Sequence, residues 1–256
     1  MAFHLPPMRS GRARTQPSLR SLALVGMILV AALACSPAAA GPPQVALLVE
    51  LPVAYHTPNG GDVAPDGTLV FTVPNSMNNR RLIQAGVIGE PVPDVIASMD
   101  AEKRISTWYG FTREDLDELG AIRPMDAEFG PDGHLYVTDR AGSRVLRINV
   151  EAGRAIDADV VVQGIRSANG LTWKDDALFV TASGLGQTEE TQGADPRLIS
   201  GDYAFALEEL GGDPDVLRPY DEPPRDEHLA VTFESSNTIR VGADGVAIAS
   251  DGNLYT

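Results

Sequence analysis

Four stretches of the sequence repeat one another and decide the fold: NGGDVAPDGTLVFTV from Asn59, MDAEFGPDGHLYVTD from Met125, NGLTWKDDALFVTAS from Asn169 and DGVAIASDGNLYT from Asp244. In each copy an apolar residue stands four positions after the first, and these residues are Val63, Phe129, Trp173 and Ile248. A polar turn then leads into an alternating run of β-branched and aromatic residues. This pattern predicts a strand, a tight turn and a second strand in every copy.

The turns between the two strands are rich in Asp and Gly, which adopt left-handed backbone conformations at low cost. They read PDG at 65–67 and 131–133, SDG at 250–252 and a shorter KDD at 174–176. After the second copy, alternating residues at 143–155 and the apolar run 160–165 predict a further hairpin. Two such hairpins make a four-stranded blade, so the sequence predicts an all-β fold of the β-propeller type.

Between the copies the pattern is less regular. Residues 106–120 (STWYGFTREDLDELG) show helical periodicity with a helix start at Thr112, and residues 193–230 are rich in Gly, Pro and acidic side chains, which predicts long loops. We count four blades, with room for a fifth. The last copy reaches Thr256 within its second strand, so we expect a six-bladed ring to be incomplete in this chain, over a domain spanning 41–256.

The first 40 residues have the charge pattern of an export signal peptide. They carry Arg9, Arg12, Arg14 and Arg20 ahead of an apolar run at 22–33, and they contain no acidic residue. Cys35 follows this run where a lipoprotein would be lipidated, whereas the three alanines at 38–40 suit ordinary signal cleavage. The protein is therefore expected to be exported, as a periplasmic or cell-envelope lipoprotein or as a secreted protein.

The charge of the predicted mature chain restricts its partners. Removing the four leader arginines from 20 basic residues leaves 16 against 35 acidic ones, a formal charge of −19. Such a surface repels nucleic acid and anionic lipid, so a membrane contact is expected only through a lipid at Cys35. An acidic surface suits calcium, although by itself it commonly reflects solubility.

The first residues of equivalent propeller strands converge near the central axis. In this chain they are Asn59, Met125, Asn169 and Asp244. Two amide oxygens and a carboxylate from different blades form a plausible ligand set for calcium or another divalent cation. Asn-Gly and Asp-Gly are also ordinary turn dipeptides, and both readings stay open.

The segments NGLTW from Asn169 and ADGVAIASDGNLY from Ala243 resemble signature segments of the gluconolactonase, senescence marker protein and luciferin-regenerating enzyme family, with paraoxonase and strictosidine synthase-like proteins as more distant relatives. The resemblance spans about residues 55–256. It implies a divalent ion, often calcium, in the central channel, where the ion polarises a lactone or ester carbonyl for attack by water. Asn169 and Asp244 stand at matching ligand positions.

Two positions depart from the family pattern. Asn59 stands where the family normally has Glu, and Met125 stands where it has a substrate-side Asn. Asp126 matches an acidic residue of several members, which implies a general base or a group that orients the attacking water. The resemblance thus predicts a calcium-dependent hydrolase of a small lactone or ester. The two departures favour an alternative, a non-catalytic envelope propeller that binds a protein or a glycan.

Two other conspicuous residues have ordinary structural interpretations. His134 occupies the turn position of Thr68 and Asn253 in the other copies, which predicts a turn residue. Trp173 takes the place of Val63, Phe129 and Ile248, which predicts packing between blades.

Overall fold

The computed structural model describes residues 47–184, 198–217, 226–235 and 243–256, and all of its secondary structure lies in the unit Val49–Thr256. This part of the chain forms four antiparallel sheets, one of which gains a parallel fifth strand. Among the described residues no helix is long and apolar enough to cross a membrane.

Blade 1 is a four-stranded meander in the order β1-β2-β3-β4. A nine-residue helix, α1, is inserted between its second and third strands. The elements are β1 (Gly61–Val63), β2 (Leu69–Val73), α1 (Ser76–Gln84), β3 (Val95–Met99) and β4 (Ile105–Gly110). A short 3₁₀ turn at Val53–Tyr55 precedes the blade, and Leu51 and Tyr55 pack against one of its faces.

Helix α2 (Arg113–Leu119) connects blade 1 to blade 2. The helix begins where the sequence predicted, because the hydroxyl of Thr112 accepts the Asp115 N–H while the Asp115 carboxylate accepts the Thr112 N–H. The predicted helical character of the preceding residues was wrong. Ser106–Gly110 belong to β4, whose β-branched and aromatic residues pair with β3.

Blade 2 is the longest meander. Its strands are β5 (Pro124–Phe129), β6 (Leu135–Asp139), β7 (Arg144–Glu151) and β8 (Arg154–Gln163). The predicted outer hairpin is thereby confirmed. The outer edge of β8 receives a short parallel strand, β12 (Asp215–Val216), from the excursion that follows the third strand of blade 3. That excursion therefore covers a strand edge that would otherwise be exposed.

Blade 3 contains β9 (Ala168–Lys174), β10 (Ala177–Ala182), β11 (Leu198–Ala206) and β13 (Leu229–Ser235). The prediction of long loops over 193–230 was wrong for β11, which pairs with β10 along six residues. A 3₁₀ turn at Leu207–Gly211 follows β11. The fourth-unit hairpin consists of β14 (Ala247–Ile248) and β15 (Leu254–Tyr255). No fifth blade is present among the described residues.

The predicted turn chemistry is confirmed at the hairpins between first and second strands. Gly67, Gly133 and Gly252 have φ values of 87°, 82° and 78°, and in the shorter KDD turn Asp175 takes φ 53°. In each Asp-Gly turn the carboxylate accepts the main-chain N–H two residues on, which fixes the turn.

The hydrophobic core lies between blades rather than at one centre. Trp173 of β9 packs edge-on against Tyr136 of β6 with ring centroids 5.0 Å apart. This confirms the predicted packing role of Trp173. Phe205 and Tyr203 of β11 extend the same cluster, and a second cluster joins blades 1 and 2. Blades stacked face to face in this way confirm the predicted β-propeller class.

Candidate functional site

The first strands of successive blades are joined at their N-terminal ends by a repeated threonine. The hydroxyl of Thr72 donates to the carbonyl of Met125 at 2.7 Å, and that of Thr181 donates to the carbonyl of Asp244 at 2.8 Å. Between these two, Thr138 donates to the carbonyl of Asn169. The three threonines are fully buried. Each second strand therefore holds the first residue of the next unit in place.

Asn59 and Met125 come together at the entry to blades 1 and 2. The Asn59 amide nitrogen lies 4.0 Å from the Met125 sulfur, and the Gly60 N–H donates to the Met125 carbonyl at 3.1 Å. Asn59 is exposed, whereas Met125 is only 4% exposed. A buried thioether is a weak acceptor and no ligand for a hard cation. Within this pair, Asn59 alone offers an oxygen.

Asn169 and Asp244 form the second pair, between blade 3 and the fourth-unit hairpin. The Asn169 amide donates to a carboxylate oxygen of Asp244 and lies 3.5 Å from the hydroxyl of Ser183. Asn169 is 8% exposed, and Asp244 faces solvent. Three oxygen-bearing side chains thus meet at one point. Ser183 gave no signal in the sequence because it follows β10 without any catalytic motif around it.

Asp126 lies between three blades and is half-buried. Its Oδ1 accepts the Ala127 N–H at 2.9 Å, and its Oδ2 accepts the Leu171 N–H of blade 3 at 3.0 Å. Burial raises the pKa of Asp126, and these hydrogen bonds oppose the shift. Only glycine fits opposite it, since a Cβ at Gly60 would lie 1.7 Å from Oδ1. Asp126 therefore links blades, and its predicted role as a base stays a prediction.

Two further carboxylates face the neighbouring blade, and the sequence gave no reason to select them. Asp62 Oδ2 accepts the Phe129 N–H at 3.1 Å. One blade further on, Glu128 stands at the equivalent position beside Thr172 and Trp173 of blade 3, whose hydroxyl and N–H act to lower its pKa. Burial, reinforced by the nearby Asp62 and Asp126, raises the pKa of Glu128 to about 7. Asp62 and Glu128 occupy the same position of the repeat, which is the signal that identifies them.

The donor set at Asn169 and Asp244 fits a hard cation. The amide orientation of Asn is assigned from its neighbours, and rotating it would bring two oxygens face to face, an arrangement that a bound cation stabilises. Among the described residues no three His, Cys, Asp or Glu side chains lie together as a metal site. A cation at this point would therefore depend on amide, hydroxyl and water oxygens around the single carboxylate of Asp244.

His134 and Cys35 are the remaining residues for which the sequence predicted a role. His134 lies in its turn, as predicted, and its Nδ1 accepts the Val150 N–H at 3.0 Å. Cys35 and the leader lie outside the described residues, so their predicted roles stay predictions.

Comparison with models of known protein families gave no match. Comparison with curated proteins gave none either. Among solved structures, the chain is similar to one provisionally assigned as a gluconolactonase, with a TM-score of 0.48 and 16% identity over 77% of this chain and 54% of the other. It is also similar to luciferin-regenerating enzyme, with a TM-score of 0.43 and 16% identity over 75% of this chain and 50% of the other.

Virginiamycin B lyase from Staphylococcus aureus matches with a TM-score of 0.42 and 14% identity over 80% of this chain and 50% of the lyase. The chain therefore spans about half the length of these structures.

Proposed function

We propose that this chain is part of a hydrolase that opens a small lactone or a related ester. The observation that carries the proposal is the contact between the Asn169 amide and the Asp244 carboxylate at the N-terminal ends of the first strands. These two residues coincide with the ligand positions of the sequence resemblance. They are also held in place by the threonine bonds from the neighbouring blade.

In this proposal Asn169 and Asp244 hold a calcium ion or another divalent cation, and Asn59 is a third ligand. Such an ion supplies Lewis-acid activation of the substrate carbonyl. Ser183 lies close enough to Asn169 to orient its amide. Asp126 orients the attacking water or removes its proton, for which each carboxylate oxygen keeps a second lone pair beside its main-chain bond.

The negative charge of the chain is consistent with a substrate that is neutral, or whose charge is paired with a nearby group of opposite sign. A formal charge of −15 over the whole chain disfavours anionic macromolecules, so a small molecule is the expected partner.

Localisation belongs to the same proposal. We propose export through the leader 1–40, with a lipid at Cys35, and incorporation of labelled fatty acid into the wild type but not into Cys35→Ser tests it.

Thermal melting with and without calcium tests the ion site directly. Calcium at about 100 times its dissociation constant is expected to stabilise the folded state by about 2.7 kcal/mol. The calcium-dependent rise in melting temperature should vanish in Asp244→Ala. Asp66→Ala is the matched control, because it removes an exposed carboxylate from a turn with the same change of charge and should keep the rise.

Turnover of a panel of sugar and aliphatic lactones, measured with calcium and then with chelator, tests the reaction. Activity that depends on calcium and on Asp244 supports the hydrolase. A calcium-stabilised protein without turnover would contradict the hydrolase and favour the non-catalytic propeller, in which the cation is structural. Equal melting temperatures with calcium and chelator in a cooperatively folded protein would contradict the ion site itself.

A further inference from the structure

A second constellation lies just before blade 1, outside the residues discussed so far. His56 and Thr57 follow the 3₁₀ turn and meet two asparagines of helix α1. The Thr57 hydroxyl lies 2.6 Å from His56 Nδ1, and His56 Nε2 lies 3.3 Å from the Asn79 side-chain oxygen. Asn78 Nδ2 donates to the Thr57 hydroxyl at 3.1 Å.

The orientation of the Asn79 amide is fixed by the main chain of Val92. Its Nδ2 donates to the Val92 carbonyl at 2.8 Å, and its Oδ1 accepts the Val92 N–H at 3.0 Å. A flipped amide would lose both bonds. The atom that faces His56 is therefore an acceptor, and His56 Nε2 must carry the proton.

This tautomer decides the direction of the remaining bond. With Nε2 protonated, neutral His56 presents a lone pair at Nδ1, so the Thr57 hydroxyl donates to it. The order is then hydroxyl, imidazole base and amide orienter, which is the arrangement of an activated nucleophile. His56 and Thr57 are half-buried, which leaves part of each residue in contact with solvent.

We propose that Thr57, His56 and Asn79 form an acyl-transfer site for small esters, in which Thr57 is the nucleophile, His56 the base and Asn79 a positioning residue. The Thr57 oxygen attacks the ester carbonyl carbon while its proton passes to Nδ1 of His56. The tetrahedral intermediate collapses, the C–O bond to the alcohol breaks, and the alcohol takes the proton from Nδ1. Water then hydrolyses the Thr57 ester by the same steps in reverse.

Asn78 provides the stabilising donor in this proposal. Its Nδ2 donates to the attacking oxygen at 3.1 Å, and in the proposed reaction this donor turns to the carbonyl oxygen as that oxygen becomes negative. Side-chain amides perform this role in other acyl-transfer sites. None of these four residues is among the proposed cation ligands Asn59, Asn169 and Asp244, so the site can be tested with chelator present.

p-Nitrophenyl acetate, added in the presence of chelator, is the probe. A burst of nitrophenolate is expected, together with an acetyl group on Thr57 found by peptide mass spectrometry. Thr57→Val and His56→Gln should each lower the burst rate at least about 100-fold, whereas Thr57→Ser keeps the hydroxyl and the burst. Thr68→Val is the control, because this threonine lies in the turn at the other end of the blade 1 strands.

Nitrogen-15 imidazole shifts of neutral His56 provide a readout that does not require turnover. A protonated Nε2 and an unprotonated Nδ1 support the arrangement, and the opposite tautomer would overturn it. A burst of equal rate in folded Thr57→Val, acetylation confined to other residues, or no burst in the wild type would each overturn it as well. Because the burst is measured with chelator present, these outcomes are distinct from a failure of the metal-dependent lactone reaction.

Discussion

The hydroxyl of Thr138 in blade 2 donates a hydrogen bond to the main-chain carbonyl of Asn169 in blade 3 and accepts one from the Asp126 N–H at 3.0 Å. One buried side chain thus positions both a candidate cation ligand and a candidate base. Thr181 makes the equivalent pair of bonds at the next junction, to the Gly170 N–H and the Asp244 carbonyl, and Thr72 donates to the Met125 carbonyl, so the N-terminal ends of the first strands form one connected layer.

Replacing Thr138 with Val is therefore expected to destabilise the fold and the site together. Valine has nearly the same shape but leaves the Asp126 N–H and the Asn169 carbonyl without partners, which costs about 1–3 kcal/mol. The measurement is the free energy of unfolding in urea. Thr68→Val, in a turn, should change it by no more than about 0.5 kcal/mol, and an equal loss in the two variants would contradict the role of Thr138.

Glu128 is expected to make stability depend on pH. Its pKa is about 7 in the folded protein against an ordinary value of 4.5. Between these two values the folded state holds a proton that the unfolded state has released, so the free energy of unfolding falls as the pH rises through this window. The loss is on the order of 2 kcal/mol, allowing for partial solvent contact.

Urea unfolding at about pH 5 and about pH 8 measures this loss. Glu128→Gln should reduce the difference between the two conditions. Asp202, whose pKa burial raises to about 6, acts in the same direction, so Asp202→Asn serves as the comparison and the effects of the two variants should add. An unchanged pH dependence in Glu128→Gln would contradict the assignment.

The sequence predicted the inner half of each blade because its signals are local. A period of two residues and the PDG and KDD turns suffice to locate β5, β6, β9 and β10. Strand β11 was missed because Gly201 and Asp202 look like a turn, whereas Tyr203 and Phe205 become buried only when β10 is already present. Long-range pairing, rather than propensity, makes this segment a strand.

The candidate site likewise contains residues that the sequence identified and residues that only the structure revealed. Asn169 and Asp244 were found because the repeat aligns them, and the structure brings them into contact. Asp62 and Glu128 were missed because the other copies have Thr172 and Ala247 at that position, so no shared residue type draws attention to them. Asp62 accepts a main-chain N–H of the next blade, and a sequence does not reveal such contacts. Ser183 has no catalytic motif around it, and its contact with Asn169 appears only in the structure.

The buried ion pair between Asp139 and Arg144 gives a prediction about stability. Arg144 Nε lies 2.8 Å from Asp139 Oδ2, and both side chains are nearly inaccessible. Asp139 Oδ1 also accepts the N–H groups of Arg123 and Ala141. Arg144→Met leaves a buried carboxylate without its counter-charge, which is expected to cost about 3–5 kcal/mol in the free energy of unfolding.

A double-mutant cycle separates the pair energy from loss of packing. The exposed pair Arg113–Asp117, with its nitrogen and oxygen 3.0 Å apart, is the control. Its coupling energy should be about 0.3–0.5 kcal/mol, and the coupling between residues 139 and 144 should exceed it severalfold. Equal coupling energies for the two pairs would show that burial adds nothing.

The fourth-unit hairpin packs directly against Gly170, where there is no room for a side chain. A Cβ there would lie 2.5 Å from the Asp244 carbonyl oxygen and 2.9 Å from the Val246 nitrogen, both main-chain atoms. Gly170→Ala must therefore push the hairpin away from β9 and break the bond from the Gly170 N–H to the Asp244 carbonyl, 2.9 Å long in the native chain. We expect faster amide exchange across 247–255.

Gly245→Ala is the matched control, because a Cβ at that position meets no atom within 4 Å. It should leave amide exchange in the hairpin unchanged. Since displacement of the hairpin also separates Asp244 from Asn169, Gly170→Ala should lose the calcium-dependent rise in melting temperature that Gly245→Ala keeps. Retention of that rise in Gly170→Ala, with the hairpin displaced, would mean that the cation binds without Asp244 and that its ligands lie elsewhere in the chain.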